Sequence, residues 1–99
     1  MVKHIVLFKL KEDAPKSEKT EVMEKFKEAI EALQNIIPCI RKIEVGINKN
    51  PNESWDIALY SEFDSFEDLD TYAKHPEHIA AGKIIADLRV DRSCVDYVS

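Results

Sequence analysis

The sequence predicts an α+β fold of the ferredoxin-like, split βαβ kind, with element order β-α-β-β-α-α-β. Three observations predict it. Segments 2–10, 40–47, 56–63 and 90–98 carry the alternation or short apolar runs of strands. A long segment after residue 16 repeats apolar residues at three- and four-residue steps. Pro76 interrupts a second helical segment and divides it in two. Such an order implies a four-stranded antiparallel sheet with its helices on one face.

Each element has its own warrant. In 2–10, Val2, His4, Val6, Phe8 and Leu10 point one way and Ile5 and Leu7 the other, so the strand is apolar on both faces. Residues 11–16 are a polar loop containing Pro15, and Ser17 is the expected helix N-cap, with Glu18 and Glu21 suiting the positive helix start. Val22, Phe26, Ala29, Ile30, Leu33 and Ile37 predict an amphipathic helix of about five turns, stopped by Pro38. In 40–47, Arg41, Ile43, Val45 and Ile47 oppose Lys42 and Glu44; residues 48–54 form a turn-rich loop. In 56–63, Ile57, Leu59 and Phe63 oppose Ala58 and Tyr60. Ser65-x-x-Asp68 resembles a capping box and opens a second helix showing Phe66, Leu69, Tyr72 and Ala73. Pro76 then starts a third helix running to about Leu88, and in 90–98 Val95 and Tyr97 oppose Cys94 and Val98.

Ninety-nine residues without repeat, linker or composition shift predict one domain over 1–99. At 44% hydrophobic residues the chain builds a core rather than remaining disordered. Net charge is −5, and the lysines interleave with glutamates, so nucleic acid is not an expected partner. No apolar run approaches the ~18 residues of a membrane span. The first strand is too short and too charged for a signal h-region. Cys39 and Cys94 form no CxxC pair, which suits two free thiols in a reducing, cytoplasmic setting.

The predicted sheet has one face without helices. Burying an aliphatic side chain is worth ~1.5–3 kcal/mol, so the apolar groups on both sides of strand one predict a homodimer. Two sheets would pack face to face across a two-fold axis and close a barrel or sandwich.

Chemistry concentrates in Tyr72-Ala73-Lys74-His75-Pro76-Glu77-His78-Ile79. His75 precedes Pro76 and is expected at the helix cap or turn. His78 falls in the first helical turn, where the helix partial charge lowers its affinity for a proton. A neutral imidazole serves as a base or acceptor. Tyr72 is either a core aromatic with one hydroxyl partner or a donor to a developing oxyanion beside His78. Ala80, Ala81 and Gly82 leave room for a ligand or for close helix packing. His4 is either a satisfied core or interface histidine or a polar group in a cleft wall. No HExxH, Cys/His cluster, GxGxxG or P-loop occurs, so neither a metal centre nor a cofactor is expected. Neither cysteine lies near a histidine along the chain.

Val2-Lys3-His4-Ile5-Val6-Leu7-Phe8 and His75-Pro76-Glu77-His78-Ile79 together resemble the stress-responsive dimeric α+β barrel (Dabb) family. The likeness runs over nearly the whole chain. It implies a homodimer with a central barrel. In one branch, a plant polyketide cyclase, a tyrosine and a histidine perform an aldol closure without metal or cofactor. Tyr72 and His78 stand at the matching positions and His4 at that of a cavity-bordering histidine. Ile57 stands where that branch has a further pocket histidine, and Ile30 or a neighbour where it has a pocket tyrosine. The resemblance thus implies a small-molecule-binding homodimer, or else a cofactor-free cyclase or lyase with Tyr72 and His78 as catalytic pair. Related barrels add a cofactor-independent monooxygenase as a further alternative. The implied ligand is a small apolar carbonyl or phenolic compound touching His4.

Overall fold

The structure, a computed structural model, describes residues 1–99. Its elements are β1 (Val2–Leu10), α1 (Lys16–Ala32), β2 (Lys42–Ile47), β3 (Ile57–Phe63), α2 (Phe66–Lys74), α3 (Pro76–Ala86) and β4 (Arg89–Val98). The sheet order is β2-β3-β1-β4, and every neighbouring pair is antiparallel. The fold is the expected α+β, ferredoxin-like one.

Alternation along β1 decides what the sheet can cover. Val2, His4, Val6, Phe8 and Leu10 are buried on the helix side, while Ile5 and Leu7 are half-buried on the other. Directly paired residues share a face. The register therefore aligns Val45, Leu59 and Val6 in one row and sets Ser61, His4 and Asp96 in the next. Phe26, Ile30 and Leu33 of the first helical segment, Leu69 and Tyr72 of α2, and Ile85 of α3 close this face into one core. Phe8 and Phe26 meet edge to face at 5.5 Å.

Four boundaries differ from the sequence expectation by two residues or more. Pro15, not Ser17, is the N-cap of α1: Lys19 donates to the Pro15 carbonyl at 3.0 Å, and no side chain caps the helix. Ser17 lies inside the first turn. At its other end α1 tightens at Leu33–Asn35 into a 3-10 turn, well before Pro38. There Ile36 and Ile37 both donate to the Leu33 carbonyl, and Gln34 donates to Ile40. This turn swings Ile37 and Ile40 into the core without further α-helix. β2 begins at Lys42; Arg41 before it donates its amide to the Glu62 carbonyl at 2.9 Å and pairs its guanidinium with Asp64. α3 ends at Ala86, where Leu88 bends back to Ile85 and buries its side chain.

The helix-free face carries Ile5, Leu7, Ala58, Tyr60, Val95 and Tyr97, beside Lys3, Lys42, Glu44 and Glu62. Val95 is 61% exposed and Tyr97 42%. Glu62 accepts from the Tyr60 hydroxyl, and this bond pushes the phenol up to about 12. No helix is long and apolar enough to cross a membrane.

Candidate functional site

The site is built around the break between α2 and α3. Ser65 caps α2 by accepting from the Asp68 amide at 3.1 Å. Pro76 occupies the start of α3, where an N–H is not needed. His75 bridges the two in extended conformation, as the sequence suggested for a cap. Its Nδ1 accepts from the Glu77 amide at 3.1 Å, and its carbonyl accepts from His78 and Ile79. These bonds tie the two helices together at the kink and position His78.

His78 Nδ1 lies 3.0 Å from the Ala73 carbonyl oxygen. A carbonyl only accepts, so Nδ1 carries the proton, and Nε2 of the neutral ring keeps a free lone pair. Burial holds the imidazole below its ordinary value, aided by His4, Arg92 and His75 and opposed by the Ala73 bond. The direction matches the sequence expectation, and burial is the main cause.

Tyr72 is 1% exposed. Its ring centroid lies 4.4 Å from His78, 5.1 Å from Phe63 and 6.3 Å from His4. Burial lifts its phenol far above the ordinary value, so it remains a protonated donor. Its hydroxyl has no hydrogen-bond partner in the protein, and neither has that of Ser61. A core tyrosine with a satisfied hydroxyl is therefore not what the fold holds.

His4 is buried among paired strands, and its Nδ1 is hydrogen-bonded to the Asp96 carboxylate. The structure thus brings His4, Tyr72 and His78 into one row. Only His4 of the three lines a cavity, a groove of about 420 Å³ walled also by Leu69, Ala73, Arg92, Cys94 and Asp96. Ala80 and Ala81 instead line a separate groove of about 270 Å³ between α1 and α3. Ile57 and Ile30 are fully in the core and add no polar group.

Sequence reasoning missed Cys94, Asp96 and Arg92. They join His4 only through the β1–β4 register, some ninety residues along the chain. The signal was present in the alternation Arg92-x-Cys94-x-Asp96, which places all three on one side of the last strand.

Residues 2–99 match the family described as the stress-responsive A/B barrel domain. A stress-response A/B barrel domain-containing protein of Arabidopsis thaliana is 30% identical over this whole chain, which spans 47% of that protein's length. The olivetolic acid cyclase of Cannabis sativa is 29% identical over 84% of this chain and 81% of its own. Among solved structures, a dimeric protein of ferredoxin-like fold and unknown function from Bacteroides fragilis is 64% identical. It covers 97% of this chain and 93% of its own, with a TM-score of 0.96.

Proposed function

The chain belongs to the stress-responsive A/B barrel domain family, and from that premise we propose that it is a homodimer that binds a small carbonyl or phenolic compound beside His4, Tyr72 and His78. One observation carries the binding reading: the Tyr72 hydroxyl is buried and has no partner in the protein. A buried polar group without a partner costs about 1–3 kcal/mol. A ligand oxygen that accepts from Tyr72 recovers that cost. The groove at His4, whose ring centroid lies 6.3 Å from that of Tyr72, is the opening we assign to such a ligand, and Leu69 and Ala73 supply apolar wall. The dimer rests on the apolar helix-free face and on the dimeric relative from Bacteroides fragilis.

A thermal-shift panel of phenols and β-dicarbonyl compounds tests this reading on wild type, Tyr72→Phe and His78→Ala. A ligand at a hundred times its Kd stabilises the fold by about 2.7 kcal/mol. We expect a shift in wild type that both variants lose. No shift anywhere, or equal shifts in all three proteins, refutes the site.

Proton transfer is the second function, favoured by the bare Nε2 of a neutral His78 beside a protonated phenol. His78 would take a proton next to the ligand carbonyl while Tyr72 donates to the developing oxyanion. Cyclase chemistry, of the kind named for the Cannabis relative, would be open to such a pair. Wild type should then speed exchange of the α-hydrogen of a β-dicarbonyl with deuterium above the protein-free rate, and His78→Ala should not. Equal exchange in both proteins assigns the step elsewhere.

A further inference from the structure

The register of β1 and β4 pairs His4 with Asp96 and Val6 with Cys94. Alternation then puts His4, Cys94 and Asp96 on one side of the sheet, the side facing the helices. The Cys94 Sγ lies 3.6 Å from His4 Nδ1 and 3.6 Å from an Asp96 carboxylate oxygen. His4 Nδ1 and that same oxygen are hydrogen-bonded to each other.

From these contacts we propose that His4, Cys94 and Asp96 bind one thiophilic divalent cation per chain, zinc fitting best. Zinc takes nitrogen and oxygen at about 2.0–2.2 Å and thiolate at about 2.3 Å, which spaces tetrahedral donors roughly 3.4–3.6 Å apart. Both sulfur separations meet that spacing. The third edge is now the His4–Asp96 hydrogen bond, which gives way to two bonds to the cation. The Cys94 thiol loses its proton to solvent, and the His4 ring proton moves from Nδ1 to Nε2 so that Nδ1 donates its lone pair.

A cysteine–histidine–carboxylate set also suggests a thiol nucleophile. A relay needs thiol and carboxylate on opposite ring nitrogens. Here both converge on Nδ1, which is the arrangement of a chelate. All three residues line the groove of about 420 Å³. Cys94 and Asp96 are exposed, so a cation has a path in and a fourth position for water or a ligand oxygen. Arg92 lines the same groove, and its positive charge is outweighed by Asp96 and the Cys94 thiolate, Asp70 being paired with Lys74. Three protein ligands with one open position suit a catalytic rather than a closed structural centre. The site shares His4 with the proposed ligand groove and does not depend on Tyr72 or His78.

The test is titration of chelator-treated protein with Co²⁺, followed by displacement with Zn²⁺. We expect one equivalent per chain and a thiolate-to-cobalt charge-transfer band that zinc removes. Cys94→Ser should lose the band and weaken zinc binding at least about tenfold, and Asp96→Asn should weaken it as well. Cys39→Ser should bind as wild type does, since Cys39 instead faces the Asp68 carbonyl. Absence of the band, or its persistence in Cys94→Ser, overturns the proposal. Should Cys94→Ser lose its folded circular-dichroism spectrum, wild type decides. Zinc must then slow alkylation of Cys94 and leave Cys39 unaffected, and equal alkylation with and without zinc is again a refutation.

Discussion

At Tyr72 the burial of the ring and the burial of the hydroxyl have opposite consequences. The ring packs between Phe63 and His78, while the oxygen gains nothing from the protein. Tyr72→Phe keeps the packing and removes only the unpaired oxygen. We expect its unliganded melting temperature to equal or exceed that of wild type, by up to about 1 kcal/mol of added stability, measured by calorimetry. A fall of several degrees would mean that the hydroxyl is structural. His78→Ala should behave differently. It removes a ring contact worth about 0.5–1.5 kcal/mol and the tie to the Ala73 carbonyl, so it should melt several degrees lower. The same histidine sets a pH dependence. Its folded-state value lies below its unfolded one, so between the two values the unfolded chain binds more protons. Stability is present above the unfolded value of about 6.5 and falls as pH drops through the folded value. A melting temperature that declines on acidification in wild type and less so in His78→Ala is the expected result. Equal declines would place the titrating group elsewhere. Tyr72, His75 and His78 were legible in the sequence because proline fixes the kink and the kink fixes them. Asp96 and Cys94 were not, because a contact across a strand pair depends on register, which no local pattern states.

Helices and strands were legible wherever apolar spacing determined a face, and less so wherever a single polar residue was the only mark of an end. Ser17 and Ser65 show the difference. Both are serines near a predicted helix start, followed by acidic residues. Ser65 takes extended dihedrals and accepts from Asp68, whereas Ser17 sits inside α1 behind Pro15. Ser65→Ala should therefore cost about 1 kcal/mol, while Ser17→Ala should stay within about 0.5 kcal/mol of wild type. Denaturant unfolding of the two variants side by side measures this, and equal losses would contradict the assignment of the caps. The end of α1 was hidden for a related reason. Leu33 and Ile37 obey helical spacing, yet the chain between them is a 3-10 turn. Tertiary packing places Ile37 and Ile40 in the core by a tighter route than the periodicity implies.

On the scale of the whole molecule, the sheet has two unlike faces, and the helix-free one remains to be covered. Its centre is Ile5, Leu7, Ala58 and Tyr60, flanked on β4 by Val95 and Tyr97. Lysines and glutamates lie around them at Lys3, Lys42, Glu44 and Glu62. An apolar centre with a charged rim is the anatomy of a protein interface. A two-fold axis through such a face would let each copy cover the other's apolar centre. Within one chain Val95 is largely exposed, so a charge placed there costs the isolated subunit little. Across the axis the same charge must be buried without a partner, which is strongly unfavourable. Val95→Lys should thus leave the circular-dichroism spectrum of the fold intact and shift the mass measured by light scattering from about two chains to one. The neighbouring Cys94 points to the opposite side of the strand, so the same variant should retain the cobalt band. A Val95→Lys protein that stays dimeric would show that the subunits meet through another surface, and the apolar sheet face would then need a different cover.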